Sequence, residues 1–140
     1  MIRQALLKVS ENSWLRQRAS RSRILGRAVR RFLPGETLDE ALAACRDLAR
    51  SNIGTILTHL GENVRDRDEA AAVTNHYLDV LDRIRSCGLS VEVSVKLTQL
   101  GLDLDPGFCF SNLGKLLSRS PRDKTLWIDM EQSSYVDRTL

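Results

Sequence analysis

The sequence predicts an α/β protein: the N-terminal part, about three strands, of a (β/α)8 TIM-like barrel, preceded by a basic helical leader. Three observations predict it. Helix-type and strand-type segments alternate along the 140 residues. Strands separated by helices must run parallel, with right-handed crossovers. The strand-type stretches are also two-sided. Val91, Val93, Val95 and Leu97 face one way, and Glu92, Ser94 and Lys96 the other, the two-residue period of a strand. Leu126, Ile128 and Met130 likewise oppose Trp127 and Asp129. A doubly wound sheet is covered by helices on both faces and should be apolar on both, whereas a barrel can place polar groups in its upper interior. Finally, no GxGxxG or GxxxxGK[ST] phosphate loop follows any strand.

Composition fits a globular chain, with 42% apolar and 28% charged residues. No apolar run approaches a membrane span, and the first ten residues lack a secretory signal. Cys45, Cys87 and Cys109 are odd in number and widely spaced, which reads as reduced thiols on helices in a reducing compartment. The net charge of +3 is uneven. Residues 1–31 hold nine Lys and Arg against one acid, Glu11, whereas residues 32–140 hold twelve against seventeen. A basic leader can touch nucleic acid or an anionic membrane surface; more often it forms a solvated helical face or packs on acidic parts of its own protein. Without aromatic interleaving or a nucleic-acid motif, no nucleic-acid partner is expected.

The elements follow in order. Residues 1–31 read as helix, with Ile2, Leu6 and Val9 at helical spacing and a crowd of arginines from Arg16 to Arg31. Pro34-Gly35 marks a turn. The next helix opens on Thr37 and Glu40 at capping-box spacing, with an apolar stripe at Leu38, Leu42, Cys45 and Leu48/Ala49. Residues 53–60 form the first strand, which puts His59 and Glu62 at or just past its C-terminal end. Asp66 or Asp68 caps a long helix with a stripe at Val73, Tyr77, Val80/Leu81 and Ile84, and Gly88 stops it. The central strand spans residues 89–97, and residues 101–105 form a loop. Asp105-Pro106 starts a helix with a stripe at Phe110, Leu113 and Leu117, ending by Ser120-Pro121. Residues 125–130 form the last strand, and a further helix begins near Val136.

A closed barrel needs eight strands and roughly 250 residues. Three strands alone would leave unpaired edges, so the chain is expected to be the first part of a larger protein. Residues 1–31 are the basic leader, and 32–140 the truncated barrel portion.

Two residues stand where α/β proteins bind ligands, at the C-terminal ends of strands. These are Lys96 and Asp129. From spacing alone Lys96 could equally form a salt bridge with Glu92 or Asp129, and Asp129 could be a cap or loop acid. His59 reads as a hydrogen-bonded rim residue. A different class of function is a metal-dependent barrel hydrolase using His59, Glu62, Asp129 and Glu131, although the HxH and HExxH spacings are missing. A third is a nonfunctional remnant.

The stretches Ser94-Val95-Lys96-Leu97-Thr98-Gln99-Leu100-Gly101-Leu102-Asp103 and Trp127-Ile128-Asp129-Met130-Glu131-Gln132-Ser133-Ser134-Tyr135-Val136-Asp137-Arg138-Thr139-Leu140 resemble bacterial monofunctional proline dehydrogenase. Leu60-Gly61-Glu62-Asn63 and the segment from Phe32 to Ala41 resemble it in the same order. The resemblance covers essentially residues 14–140. It implies a distorted flavin barrel in which FAD oxidises L-proline to Δ1-pyrroline-5-carboxylate and passes electrons to a membrane quinone. It also implies a site. Lys96 would contact the substrate carboxylate, Asp129 would be the catalytic aspartate that organises the pocket, and Met130 would touch the flavin. The family often has an aspartate in the first strand, where this chain has Thr58-His59. Its later flavin-contacting and arginine-bearing elements have no counterpart within these residues. The isolated chain is therefore expected neither to hold FAD tightly nor to turn over proline. Localisation is expected to be cytoplasmic, with peripheral contact at the inner face of the membrane.

Overall fold

The structure, a computed structural model, describes residues 37–61 and 64–140. The leader predicted over residues 1–31, and Glu62, lie outside the described residues. By proximity the chain divides into two units, Met1–Ala41 and Leu42–Leu140.

In the first unit the described residues form a helix start. The Glu40 amide donates to Thr37 Oγ1, and the Thr37 amide donates to the Glu40 carboxylate, each at 3.3 Å. This is the predicted capping box, which satisfies two amides that a helix start leaves open.

That helix, α1 (Leu38–Arg50), continues into the second unit, where Leu42 and Cys45 are buried. It stops at Asn52, whose φ of 59° turns the chain. The Ile53 amide donates back to Leu48 O and the Asn52 amide to Ala49 O, a Schellman ending. Then come β1 (Thr55–Thr58), α2 (Arg67–Ser86), β2 (Val91–Val95), α3 (Pro106–Arg119), β3 (Leu126–Ile128), a 3-10 turn at Ser133–Tyr135 and α4 (Val136–Thr139).

The sheet has the order β1-β2-β3 and both pairings are parallel, as the alternation predicted. Thr58 lies opposite Ser94, and Val95 opposite Ile128. The strands are shorter than the predicted spans 53–60, 89–97 and 125–130. At the end of β2 the reason is visible. Lys96 O accepts from the Gln99 amide at 3.1 Å, so the backbone leaves the ladder and turns.

Helix α2 is capped by Asp66, which accepts from the Glu69 amide at 2.9 Å. It ends in a second Schellman motif. Gly88 has φ 62°, its amide donates to Arg85 O, and the Leu89 amide donates to Ile84 O. Ala70, Thr74, Tyr77, Val80, Leu81 and Ile84 are buried, close to the predicted stripe.

Helix α3 opens as predicted, with Asp105 Oδ1 accepting from the Phe108 amide at 3.1 Å and Pro106 in the first turn. Its buried stripe, however, is Cys109, Asn112 and Leu116. The predicted stripe is one residue off: Phe110 is 77% and Leu117 55% exposed. The register is set by polar ties. Asn112 Nδ2 donates to Leu100 O at 3.1 Å and the Cys109 thiol to Leu97 O at 3.4 Å. An apolar period cannot see a buried asparagine. Cys45 and Cys109 are buried, as small hydrophobes often are, and Cys87, at the end of α2, is exposed. Burial pushes the Cys109 thiol up to about 11.

Helices α2 and α3 pack against each other. Val91, Val93 and Val95 of β2 are buried, while Ile56 and Trp127 on the alternate parity are exposed. The result is a mixed α/β fold with a parallel three-strand sheet, an arrangement compatible with part of a barrel.

The α3 register has a direct check. Leu116→Ala should cost about 2–5 kcal/mol, the cost of a core cavity, and Phe110→Ala less than about 0.5 kcal/mol. Urea unfolding midpoints measure both, and the apolar period alone predicts the reverse ranking.

Candidate functional site at the strand ends

The residues after β2 are as buried as a strand. Leu97, Thr98, Gln99, Leu100 and Leu102 are each less than 8% exposed, although they form turns. Buried backbone must find partners, and here it does. The amides of Leu100, Gly101 and Leu102 donate within the turn. Leu100 O accepts from Asn112, and Leu102 O from Arg138 Nη2 at 2.6 Å. Gly101 is required twice over. Its φ is 99°, and a Cβ there would meet the Phe108 ring at 3.0 Å.

Gln99 ties this turn to β1. Its Nε2 donates to His59 O at 3.1 Å and Gly61 O at 2.7 Å, and its Oε1 accepts from the Tyr77 hydroxyl at 3.3 Å. Tyr77 OH in turn accepts from the His59 amide at 3.1 Å. Burial pushes the Tyr77 phenol pKa up.

Lys96 and Asp129 each follow directly on their strands, one position beyond the paired Val95 and Ile128. The structure therefore brings the two predicted residues to neighbouring strand ends. The Asp129 amide donates to Val95 O at 2.9 Å, and Asp129 Oδ1 accepts from Ser94 Oγ at 2.5 Å. A second carboxylate repeats the pattern one step on. Glu131 accepts from Thr98 Oγ1 at 2.7 Å and from the Thr98 amide at 3.3 Å. Met130 lies between these acids in sequence and is half exposed. Glu92 sits at the other end of β2, where it accepts from Trp127 Nε1 at 2.7 Å and the Thr125 amide at 3.3 Å. Those donors hold its carboxyl below the usual range.

The loop and the helix beyond β3 are clamped together. Asp103 accepts from Tyr135 OH and from Arg138 Nη1, each at 2.8 Å. The roles of Ser94, Thr98, Gln99, Asp103, Tyr135 and Arg138 were not foreseen from the residues. One signal was available: Ser94 and Lys96 share the polar parity of β2.

His59 stands at the rim after β1, as expected. Its ring lies 4.8 Å from that of His76, and its Nδ1 is buried without a hydrogen-bond partner among the described residues. A cavity of about 290 Å³ opens beside it, bordered by Gly61, Glu69 and Gln99. Among the described residues no group of three or more His, Cys, Asp and Glu could hold a metal ion. No helix of these residues is long and apolar enough to cross a membrane.

Burial first, and His76 second, lower the His59 pKa below 6.5. The folded chain thus binds this proton less readily than the unfolded chain. The stability it contributes is complete above the unfolded value and lost as pH falls through the folded one. Acidifying from about pH 7 to about pH 5 should lower the urea midpoint, and His59→Gln should flatten part of that loss.

Comparison with known proteins gives a consistent picture. No family model matches the chain. Proline dehydrogenase 1 of Bacillus subtilis (strain 168) is 32% identical over 143 residues, covering 100% of this chain and 46% of that protein. Proline dehydrogenase 2 of the same strain is 28% identical over 114 residues, 81% of this chain and 38% of that protein. Proline dehydrogenase of Deinococcus radiodurans is 24% identical over 144 residues, 100% of this chain and 46% of that protein. The chain spans about half the length, 46%, of the first of these relatives. Over its whole length it is a homologue of bacterial proteins named proline dehydrogenase.

Proposed function

We propose that these residues form one part of a proline-oxidising site in a (β/α)8-type flavin barrel. The observation that carries the reading is the similarity of the whole of this chain to part of a proline dehydrogenase, with Lys96 and Asp129 at neighbouring strand ends. A metal-dependent hydrolase is not favoured, because the relatives are named for a different chemistry.

In this reading Lys96 binds the L-proline carboxylate. An ammonium suits that task because it neutralises charge without demanding bidentate geometry. Asp129 organises the pocket from the adjacent strand end, with one oxygen already held by Ser94. Met130 is half exposed, and its thioether is an apolar, polarizable group of the kind a flat ring system can cover, which supports a place for FAD there. When bound, FAD supplies the acceptor for the hydride leaving the carbon beside the amine nitrogen. The protein groups bind, orient and keep water out. Onward transfer of electrons to a quinone, cytoplasmic location and contact of the basic leader with an anionic inner membrane face belong to the same proposal.

The relatives are about twice as long, so 140 residues supply only part of such a site. The purified chain should therefore show no stoichiometric flavin absorbance. A chimera in which this chain replaces the matching 46% of the Bacillus subtilis protein should bind FAD and reduce it on adding L-proline. In that chimera Lys96→Ala should raise the proline KM roughly tenfold to a hundredfold, the worth of a hydrogen bond to a charged group. A chimera that retains FAD but ignores proline would contradict the assignment.

A further inference from the structure

We infer that Ser94 is a positioning residue for Asp129: its hydroxyl holds one carboxylate oxygen and so fixes the carboxylate relative to the strand that carries Lys96. The inference rests on the functional reading above and deepens it.

Residue choice on β2 is the first support. Val91, Val93 and Val95 are buried, and Ser94 is buried as well, at 5% exposure. A buried position on a central strand favours a β-branched apolar residue. A hydroxyl there is costly unless it is bonded. Ser94 meets that cost with one bond, to Asp129 Oδ1.

Geometry is the second support. Strand β3 is three residues long and pairs in parallel with β2. Asp129 is referenced to β2 twice, through its amide on Val95 O and its carboxylate on Ser94 Oγ. Lys96 is the next residue of that same chain. The acid is therefore referenced directly to the strand that carries the lysine. Thr98 and Glu131 form the same hydroxyl–carboxylate rung beyond Lys96, so the segment after β3 is held on both sides of it.

An ionised carboxylate only accepts hydrogen bonds. The hydroxyl donated to Oδ1 fixes the plane of the Asp129 carboxylate.

Two measurements test this with Ser94→Ala and Ser94→Thr. In the 140-residue chain, the side-chain carboxyl carbon resonance of Asp129 should move in Ser94→Ala, that of Glu131 should stay, and Ser94→Thr should restore the first. A merely structural role would move both or neither. In the chimera, Ser94→Ala should lower kcat roughly tenfold to a hundredfold, the scale of a small misplacement of a reacting geometry. The proline KM should stay within about twofold, and Ser94→Thr should recover most of the rate. An unmoved Asp129 resonance, or an unchanged kcat in a proline-oxidising chimera, overturns the proposal. If the chimera with Ser94 intact does not oxidise proline, the functional reading fails instead, and the Asp129 resonance alone decides the role of Ser94.

Discussion

The buried turn after β2 is the constraint on which the rest depends. Residues 97–102 have no ladder to satisfy their backbone, yet they lie in the core. Each exposed-in-principle peptide group must be met by another part of the chain. Helix α3 sends Asn112 and Cys109, and α4 sends Arg138. The side chain of Gln99 reaches the other way, to the end of β1 and to Tyr77 on α2. These bonds set the register of α3, the height of the β1 end and the anchorage of the last helix. Leaving such a group unpaired costs about 1–3 kcal/mol, which makes the turn intolerant of rearrangement.

The same constraint gives the strand ends their precision. Lys96 leads directly into the turn, and its carbonyl accepts the first turn bond. Beyond β3, Asp129 and Glu131 are held by hydroxyls that flank Lys96 in sequence. The clamp of Asp103 with Tyr135 and Arg138 then fixes the chain that follows. Arg67 reinforces the start of α3, pairing with Asp105 at 2.6 Å and lying over the Phe108 ring at 5.0 Å. The candidate site on two short strands is thus supported by polar ties from several elements, a pattern that can preorganise functional groups.

Much of the fold was legible because its signals are local. The capping box at Thr37 and Glu40, the Asp105-Pro106 start and the Gly88 stop each lie within a few residues. The parity of residues 91–97 showed the buried face of β2 and the shared side of Ser94 and Lys96. Long-range polar pairing left no such trace. The stripe of α3 was misplaced because Asn112, not a leucine, faces the core. The burial of residues 97–102 was missed because a turn has no hydrophobic period, and Ser94 was seen as a polar-face residue without its partner 35 positions away. Lys96 and Asp129 could be placed at strand ends by pattern, but the resemblance was needed to connect them with a carboxylate substrate.

Native-state hydrogen exchange tests the account most directly, through the amides of Gly101 and Leu102, which donate to Thr98 O and Leu97 O. If the turn is a core element, these amides exchange only on global unfolding, as slowly as the β2 amides of the central ladder. Exchange as fast as that of the exposed residues Arg122 and Asp123 would show a mobile loop, and would contradict the claim that this turn fixes the strand ends.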